Sequence, residues 1–326
     1  MGQPLIPPTP AGTSEAGKTI IVTGGNTGLG YEAARQFLTL GASRVILACR
    51  SISRGKEAVS ALKADPEVQK ANPSATVEVF ELDLDDYQSG LRFTERVKKE
   101  VKELDILLNN GGMVAMKYER SKSGHERIMQ VNCYTHILIC LELFPLLRST
   151  AAARGSPARV TFVGSGLHIN GHTLSKKPIW GGESVLGHLD DEQIFDKMSR
   201  YADSKLAVAA YVRRLGAVAP TEVTVNHLCP GLVQTGLDKH LPFFLKPIMW
   251  TYRKTSGRTV QEGARTLIHA CAVAGPDTNG KFLQHNKIQA GAPFLDEPAG
   301  HEFTDKLWTE TVEDVAAIDP ELRVFA

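Results

Sequence analysis

Strong net charge, paired cysteines and long apolar runs are all missing from this 326-residue chain, and each absence excludes a class of protein. Lys and Arg number 37 against 36 Asp and Glu, a formal net charge of +1. That balance provides no field for a nucleic acid or an anionic membrane, and no nucleic-acid partner is expected. Cys49, Cys133, Cys140, Cys229 and Cys271 are odd in number, scattered, and show no CxxC spacing. They read as small buried hydrophobes in a reducing, cytoplasmic setting, with neither a disulfide framework nor a zinc site. No uninterrupted apolar run approaches the ~18 residues of a membrane span, so no transmembrane segment is expected. Residues 1–17 are rich in proline and lack a signal-peptide core; they read as a flexible tail.

What is present is an ordinary globular composition, 42% hydrophobic and 22% charged, with a regular alternation. Strand-like runs at 19–22, 45–48, 76–82, 106–108, 159–163, 223–228 and 281–283 alternate with helix-like ones. The helical runs fall at 29–40, 53–64, 87–102, 124–149, around Tyr201 and at 259–273, with a polar Pro-containing loop after the second. Strands and helices at this spacing imply right-handed βαβ units. The expected fold is a single α/β domain over 18–290: a doubly wound, Rossmann-type parallel sheet of about seven strands, helices on both faces. An insert at 166–198, an apolar lid at 236–258 and a C-terminal extension at 291–326, with a short helix at 305–315, embellish it.

Two local patterns point to chemistry. The turn after the first strand reads TGGNTGLG, with Gly24, Gly28 and Gly30 where strand gives way to helix. Glycine there lets the backbone approach a pyrophosphate, whose charge a helix N-terminus favours. Further on, Tyr201 and Lys205 stand four apart, one turn along one helix face. An ammonium beside a phenol favours the phenolate and brings proton transfer towards neutral pH. Alone, such a pair is more often a solvated helix face.

TGxxxGxG near the N-terminus, Asn109-Asn110-Gly111-Gly112 after the fourth strand, a strand-end serine, YxxxK, and the loop PGLVQT follow one another across 18–283. In this order they resemble the short-chain dehydrogenase/reductase family. The stretches VILACR and QVN and the long gap from Ser165 to Tyr201 look most like its retinol-dehydrogenase-like and fungal secondary-metabolism members. The resemblance implies a catalytic tetrad of Asn132, Ser165, Tyr201 and Lys205, with Tyr201 as general acid/base. Ser165 would orient the substrate oxygen, Lys205 would hold the cofactor ribose, and Asn132 would hold a water linked to Lys205, unless it is only a buried amide satisfied by a neighbour. Gly164 stands where the family often has a first serine, and Gly111 where it has alanine.

By the same resemblance Thr23, Gly24, Asn26, Thr27, Gly28, Leu29 and Gly30 cradle the cofactor, with Asn109, Asn110 and Gly111 behind them. Pro230 would fix the chain path and Gly231 allow the tight turn of a loop whose Val233 and Thr235 face the cofactor's nicotinamide, and Asp83 and Leu84 would face its adenine; Asp83 is also read as an N-cap or turn residue. Ala48-Cys49-Arg50-Ser51 ends the second strand without the carboxylate that reads an NAD ribose, and Arg54 follows. A guanidinium matches a 2′-phosphate, so NADP(H) is the expected cofactor. His168, His172 and His188 in the insert are too irregularly spaced for a metal. His168, Phe243, Phe244 and Trp250 are expected to line the pocket of a lipophilic small molecule. The expected function is a ketone reductase or alcohol dehydrogenase of secondary metabolism. The alternatives are a coupled non-redox step such as cyclisation or isomerisation, or a non-catalytic nucleotide-binding scaffold. Family habit suggests a homo-oligomer.

Overall fold

In the computed structural model, seven parallel strands form the sheet: β1 (Thr19–Thr23), β2 (Arg44–Cys49), β3 (Thr76–Glu81), β4 (Ile106–Asn109), β5 (Ala158–Val163), β6 (Val223–Cys229) and β7 (Lys281–Gln284). The structure describes residues 3–234, except 175, 178, 180, 219 and 220, and residues 256–326. Thr235, Phe243, Phe244, Trp250 and most of the expected lid lie outside the described residues. The strand order is β3-β2-β1-β4-β5-β6-β7, with β8 (Lys287–Gln289) added antiparallel at the edge. Seven strands were expected. The eighth escapes a pattern search because its three residues are all exposed and its hairpin turn is His285-Asn286, without glycine. Both turn residues have positive φ, 54° and 60°, as a two-residue hairpin turn requires.

Strand alternation divides the core into two layers. Ile20 and Val22 face the side covered by α1 (Gly28–Thr39) and the helix Val260–Ile268, with α2 (Ile52–Ala64) beside them. Ile21 and Leu107 face α4 (Tyr87–Glu100) and α6 (Thr135–Arg154). The expected loop after α2 contains a short helix, α3 (Pro66–Ala71). Proline at its start needs no N–H, and Asp65 caps the N–H groups of Glu67 and Val68 at 3.0 and 3.1 Å. The run 124–149 becomes α5 (Arg127–Met129), a π-helical turn Gln130–Tyr134, and α6. By length and composition the run Arg127–Arg154 could cross a membrane. Here Ile137, Leu138, Leu141 and Phe144 pack inside the core as those of a buried helix do.

Residues 3–6 and the C-terminal extension are both built in. Where a flexible tail was expected, Gln3 exchanges two hydrogen bonds with the Leu232 backbone, at 2.8 and 2.9 Å. Ile6 is bonded to Glu262 and Arg265, each at 2.9 Å. The extension carries a long helix, Pro298–Ala316, whose Leu307, Trp308, Val312 and Val315 join the core of Val208 and Leu215 on α8 (Arg200–Val218). Its Glu310 accepts from the Val185 and Leu186 N–H groups at 3.0 and 2.9 Å, at the start of the insert helix α7 (Val185–Asp190).

His125 ties these pieces together. Its Nδ1 is 2.7 Å from Asp190 and its Nε2 3.0 Å from Asp314, which also accepts from the Tyr87 hydroxyl at 2.8 Å. Burial alone would lower its pKa; the two carboxylates outweigh that and raise it to about 9. The folded value lies above the ordinary 6.5, so this contribution is complete below pH 6.5 and is lost as pH rises through 9. Its size is at most about 3 kcal/mol. Wild type is expected to lose that much more stability than His125→Gln between these limits, in urea titrations at several pH values. The difference between the proteins is the quantity to compare, because buried Lys205, with its pKa lowered, works in the opposite direction. Parallel pH profiles between these limits would show that folding does not raise the His125 pKa.

Candidate active site

The strand order reverses beside β1, so the C-terminal ends of β1 and β4 splay and leave a crevice. Two turns meet there. Thr23 is fully buried, and its Oγ accepts the N–H groups of both Asn110 and Gly111 at 2.9 Å. Asn110 returns a bond from Nδ2 to the Thr23 carbonyl at 2.8 Å. Gly24 has φ +63°, and a Cβ on Gly30 would lie 2.5 Å from Asn110 Nδ2 and 2.6 Å from the Gly24 carbonyl oxygen. Thr27 begins α1 without capping it by its side chain, so the first N–H groups of the helix face the crevice unsatisfied by a cap.

The cleft beyond, about 990 Å³, is lined by Gly24, Asn26 and Thr27, by Arg50, Ser51 and Arg54, and by Asp83 and Leu84. Gly111, Met113 and Val131 continue its wall. Phosphate-sized anions fit this donor set: glycine backbone, a helix N-terminus and two arginines. Arg50 is exposed at the end of β2, and Ser51 caps α2 through the Arg54 N–H at 3.4 Å. Asp83 accepts from Lys122 at 2.7 Å and from its neighbour Asp85 N–H at 3.2 Å, so it also shapes its own turn.

The catalytic candidates gather at the far end of that wall. Asn132 lies in the π turn, 2% exposed. Its Oδ1 accepts the Met113 N–H at 2.8 Å, and its Nδ2 donates to the Met113 carbonyl and Ser204 Oγ, each at 3.0 Å. The side chain thus joins the cleft wall to the first turns of α8. Ser204 in turn donates to the Tyr201 carbonyl at 2.7 Å. Lys205 Nζ lies 5.5 Å from the Tyr201 ring centre and donates to the Val163 carbonyl at 2.8 Å. Burial lowers the Lys205 pKa to about 8, against the pull of the neighbouring Cys133 and Cys229. Two residues past Val163, half-buried Ser165 accepts the Leu167 N–H at 3.3 Å, which leaves its own proton to donate. Tyr201 is half-buried on the same helix face as Lys205.

Several expectations change. Asn109 does not face the cleft: it is 2% exposed and bonds Cys140 Sγ at 3.2 Å inside the core. Thr23 and Asn110 hold the turn together. His168 does not line this cleft, and the other residues expected beside it in the substrate pocket lie outside the described residues. The histidine is fully buried, donates from Nδ1 to the Ser165 carbonyl at 2.6 Å, and stacks edge-on with His227 and Phe282. Val233 is buried, its side chain turned toward Gly263, while Arg258 supports the loop through the Pro230 carbonyl at 2.8 Å.

His136 was missed. Its Nε2 is 3.1 Å from Thr23 Oγ, which already accepts two N–H groups and so must be the donor. Burial, then the charge of Lys205, lowers its pKa to about 3, so it stays neutral and can accept. Its position four after Asn132 was the one signal available.

Fold and site together define a nicotinamide-dependent oxidoreductase: a glycine-rich turn at the switch point, with serine, tyrosine and lysine at one edge. The model of the short chain dehydrogenase family matches residues 18–173. Short chain dehydrogenase sor7 of Hypocrea jecorina is 69% identical over 288 residues, 88% of this chain and 80% of that one. Short chain dehydrogenase macD of Penicillium terrestre is 39% identical over 317 residues, 97% and 96% of the two chains. The chain belongs to the short chain dehydrogenase family. Among solved structures, the RhlG/NADP active-site complex of Pseudomonas aeruginosa has a TM-score of 0.64 at 24% identity, covering 85% of this chain and 97% of that one. A 7α-hydroxysteroid dehydrogenase with NADH and 7-oxo glycochenodeoxycholic acid has a TM-score of 0.60 at 18% identity, covering 86% and 96%. At these identities the likeness is one of fold.

Proposed function

We propose that this protein is an NADP(H)-dependent reductase that interconverts a ketone and an alcohol on a lipophilic small molecule. The observation that carries the reading is the buried Lys205, held beside the Tyr201 ring and bonded to the carbonyl of Val163, two residues before Ser165. Bound NADPH would supply the hydride to the carbonyl carbon, leaving NADP⁺. Tyr201 would supply the proton to the oxygen, and Ser165 would hold that oxygen by a hydrogen bond. Lys205 would hold the ribose and keep positive charge beside the phenol. Arg50 and Ser51, with Arg54, favour a 2′-phosphate because the end of β2 carries no carboxylate. The RhlG complex holds NADP, while other fold neighbours hold NAD, so the chain's own residues carry this choice. The apolar residues Phe243, Phe244, Met249 and Trp250, in the stretch after the loop that follows β6, favour a lipophilic substrate.

Fluorescence titration tests the cofactor assignment. Arg50→Ala is expected to weaken NADPH roughly 10-fold, the low end for a lost charge-assisted bond at an exposed site, and to leave NADH unchanged. Equal binding of both cofactors by wild type, unaffected by the substitution, would remove the 2′-phosphate reading. Product formation without net NADPH consumption would favour a coupled non-redox step instead.

A further inference from the structure

Arg200, immediately before Tyr201, is buried to 1% exposure, together with Glu126 at 0% and Asp203 at 1%. We infer that these three form a positioning clamp that fixes the first turn of the Tyr201 helix against both the Asn132 helix run and the 166–198 insert. Arg200 Nη1 is 3.9 Å from Glu126 Oε2, and its Nε is 3.7 Å from Asp203 Oδ2. Nη1 also donates to the Leu189 carbonyl, and the guanidinium stands 5.4 Å from the Phe195 ring centre.

Each carboxylate grips a different element. Glu126 accepts the Ile128 and Met129 N–H groups, both at 3.0 Å, and so caps the run that leads into the Asn132 turn. Asp203 accepts the Thr173 N–H at 2.7 Å and its hydroxyl at 3.0 Å, at the start of the insert. Asp190 closes the circuit, taking the Glu126 N–H at 2.7 Å. One guanidinium therefore sits where three chain segments meet, one residue from the proposed proton donor.

Stability does not explain the arrangement. The two ion-pair distances exceed hydrogen-bond length, and Arg200 Nε has no hydrogen-bond partner. Burial raises both carboxyl pKa values, opposing the charged forms that the guanidinium favours. Buried ionic triads are commonly no more stable than neutral replacements of similar volume, whereas removing one member alone leaves a buried charge unpaired. Such a triad is best explained by the geometry it imposes.

That contrast supplies the test. Arg200→Met alone is expected to lower the melting temperature. Glu126→Gln, Arg200→Met and Asp203→Asn together are expected to recover most of that loss: no buried charge is left, and the cost that remains is one of the two acceptor oxygens that take the Ile128 and Met129 N–H groups. The triple variant should still show amide hydrogen exchange at 203–206 about 10-fold faster than wild type, as a local opening would. With a lipophilic probe ketone its kcat should fall on the order of 30-fold, with KM and the NADPH Kd within about twofold, as a misplaced donor would cause. Arg200→Lys keeps the charge balance without the fork and should show the same acceleration of exchange; it decides the matter if the triple variant does not fold. Wild-type exchange at 203–206 in the folded variants would overturn the clamp. The kcat arm rests on the reductase reading and the exchange arm does not: absence of wild-type turnover would sink that reading alone.

Discussion

Replacing Tyr201 with phenylalanine is expected to lower kcat on a carbonyl substrate by roughly 10²–10⁴, the usual worth of a positioned proton donor. The substitution removes one oxygen and keeps the ring. Lys205 would still donate to the Val163 carbonyl, and Ser204 would still join the Tyr201 backbone to Asn132. NADPH affinity and melting temperature should therefore stay near wild type. Steady-state turnover alongside a fluorescence titration separates the outcomes. A parallel loss of cofactor binding would mean the ring positions the cofactor, and unchanged turnover would move the acid role elsewhere.

The second large effect is expected at Gly30. In alanine at this position the Cβ would lie 2.5 Å from Asn110 Nδ2 and 2.6 Å from the Gly24 carbonyl oxygen. Neither neighbour can yield cheaply. The Asn110 amide is committed to the Thr23 carbonyl at 2.8 Å, and the Gly24 oxygen is backbone. Overpacking of this kind costs about 1–3 kcal/mol. If the glycine turn absorbs that strain, NADPH binding weakens roughly 5- to 150-fold. Titration of Gly30→Ala against both NADPH and NADH should show similar losses, because the turn precedes the point where the two cofactors differ. A lowered melting temperature with intact affinity would place the strain in the fold and not in the cofactor cradle.

How far the site was legible follows from the kind of signal each residue leaves. Gly24, Gly28 and Gly30 announced a turn because glycine spacing between a strand and a helix is a local pattern. Tyr201 and Lys205 did the same through helical periodicity. Asn109 misled: it shares a motif with Asn110, yet strand alternation turns its side chain into the core beside Cys140. His168 left no local mark of its surroundings, since a histidine three residues after Ser165 gives no sign that it will stack on Phe282, far along the chain. His136 and Arg200 left almost no mark. Their partners, Thr23 and Glu126, are remote in sequence, and only packing makes neighbours of them.

The sheet, its alternation with helices, the glycine turn and the tyrosine–lysine pair were determined by sequence alone, because each depends on contacts or periodicities within a few residues. The tertiary structure alone decided that the C-terminal helix belongs to the core, that residues 3–6 brace the loop after β6, and that Arg200, the neighbour of Tyr201, is buried. The physical reason is that burial of a charge or an apolar face is set by what covers it. Here the covering groups come from distant parts of the chain, and no local pattern specifies them.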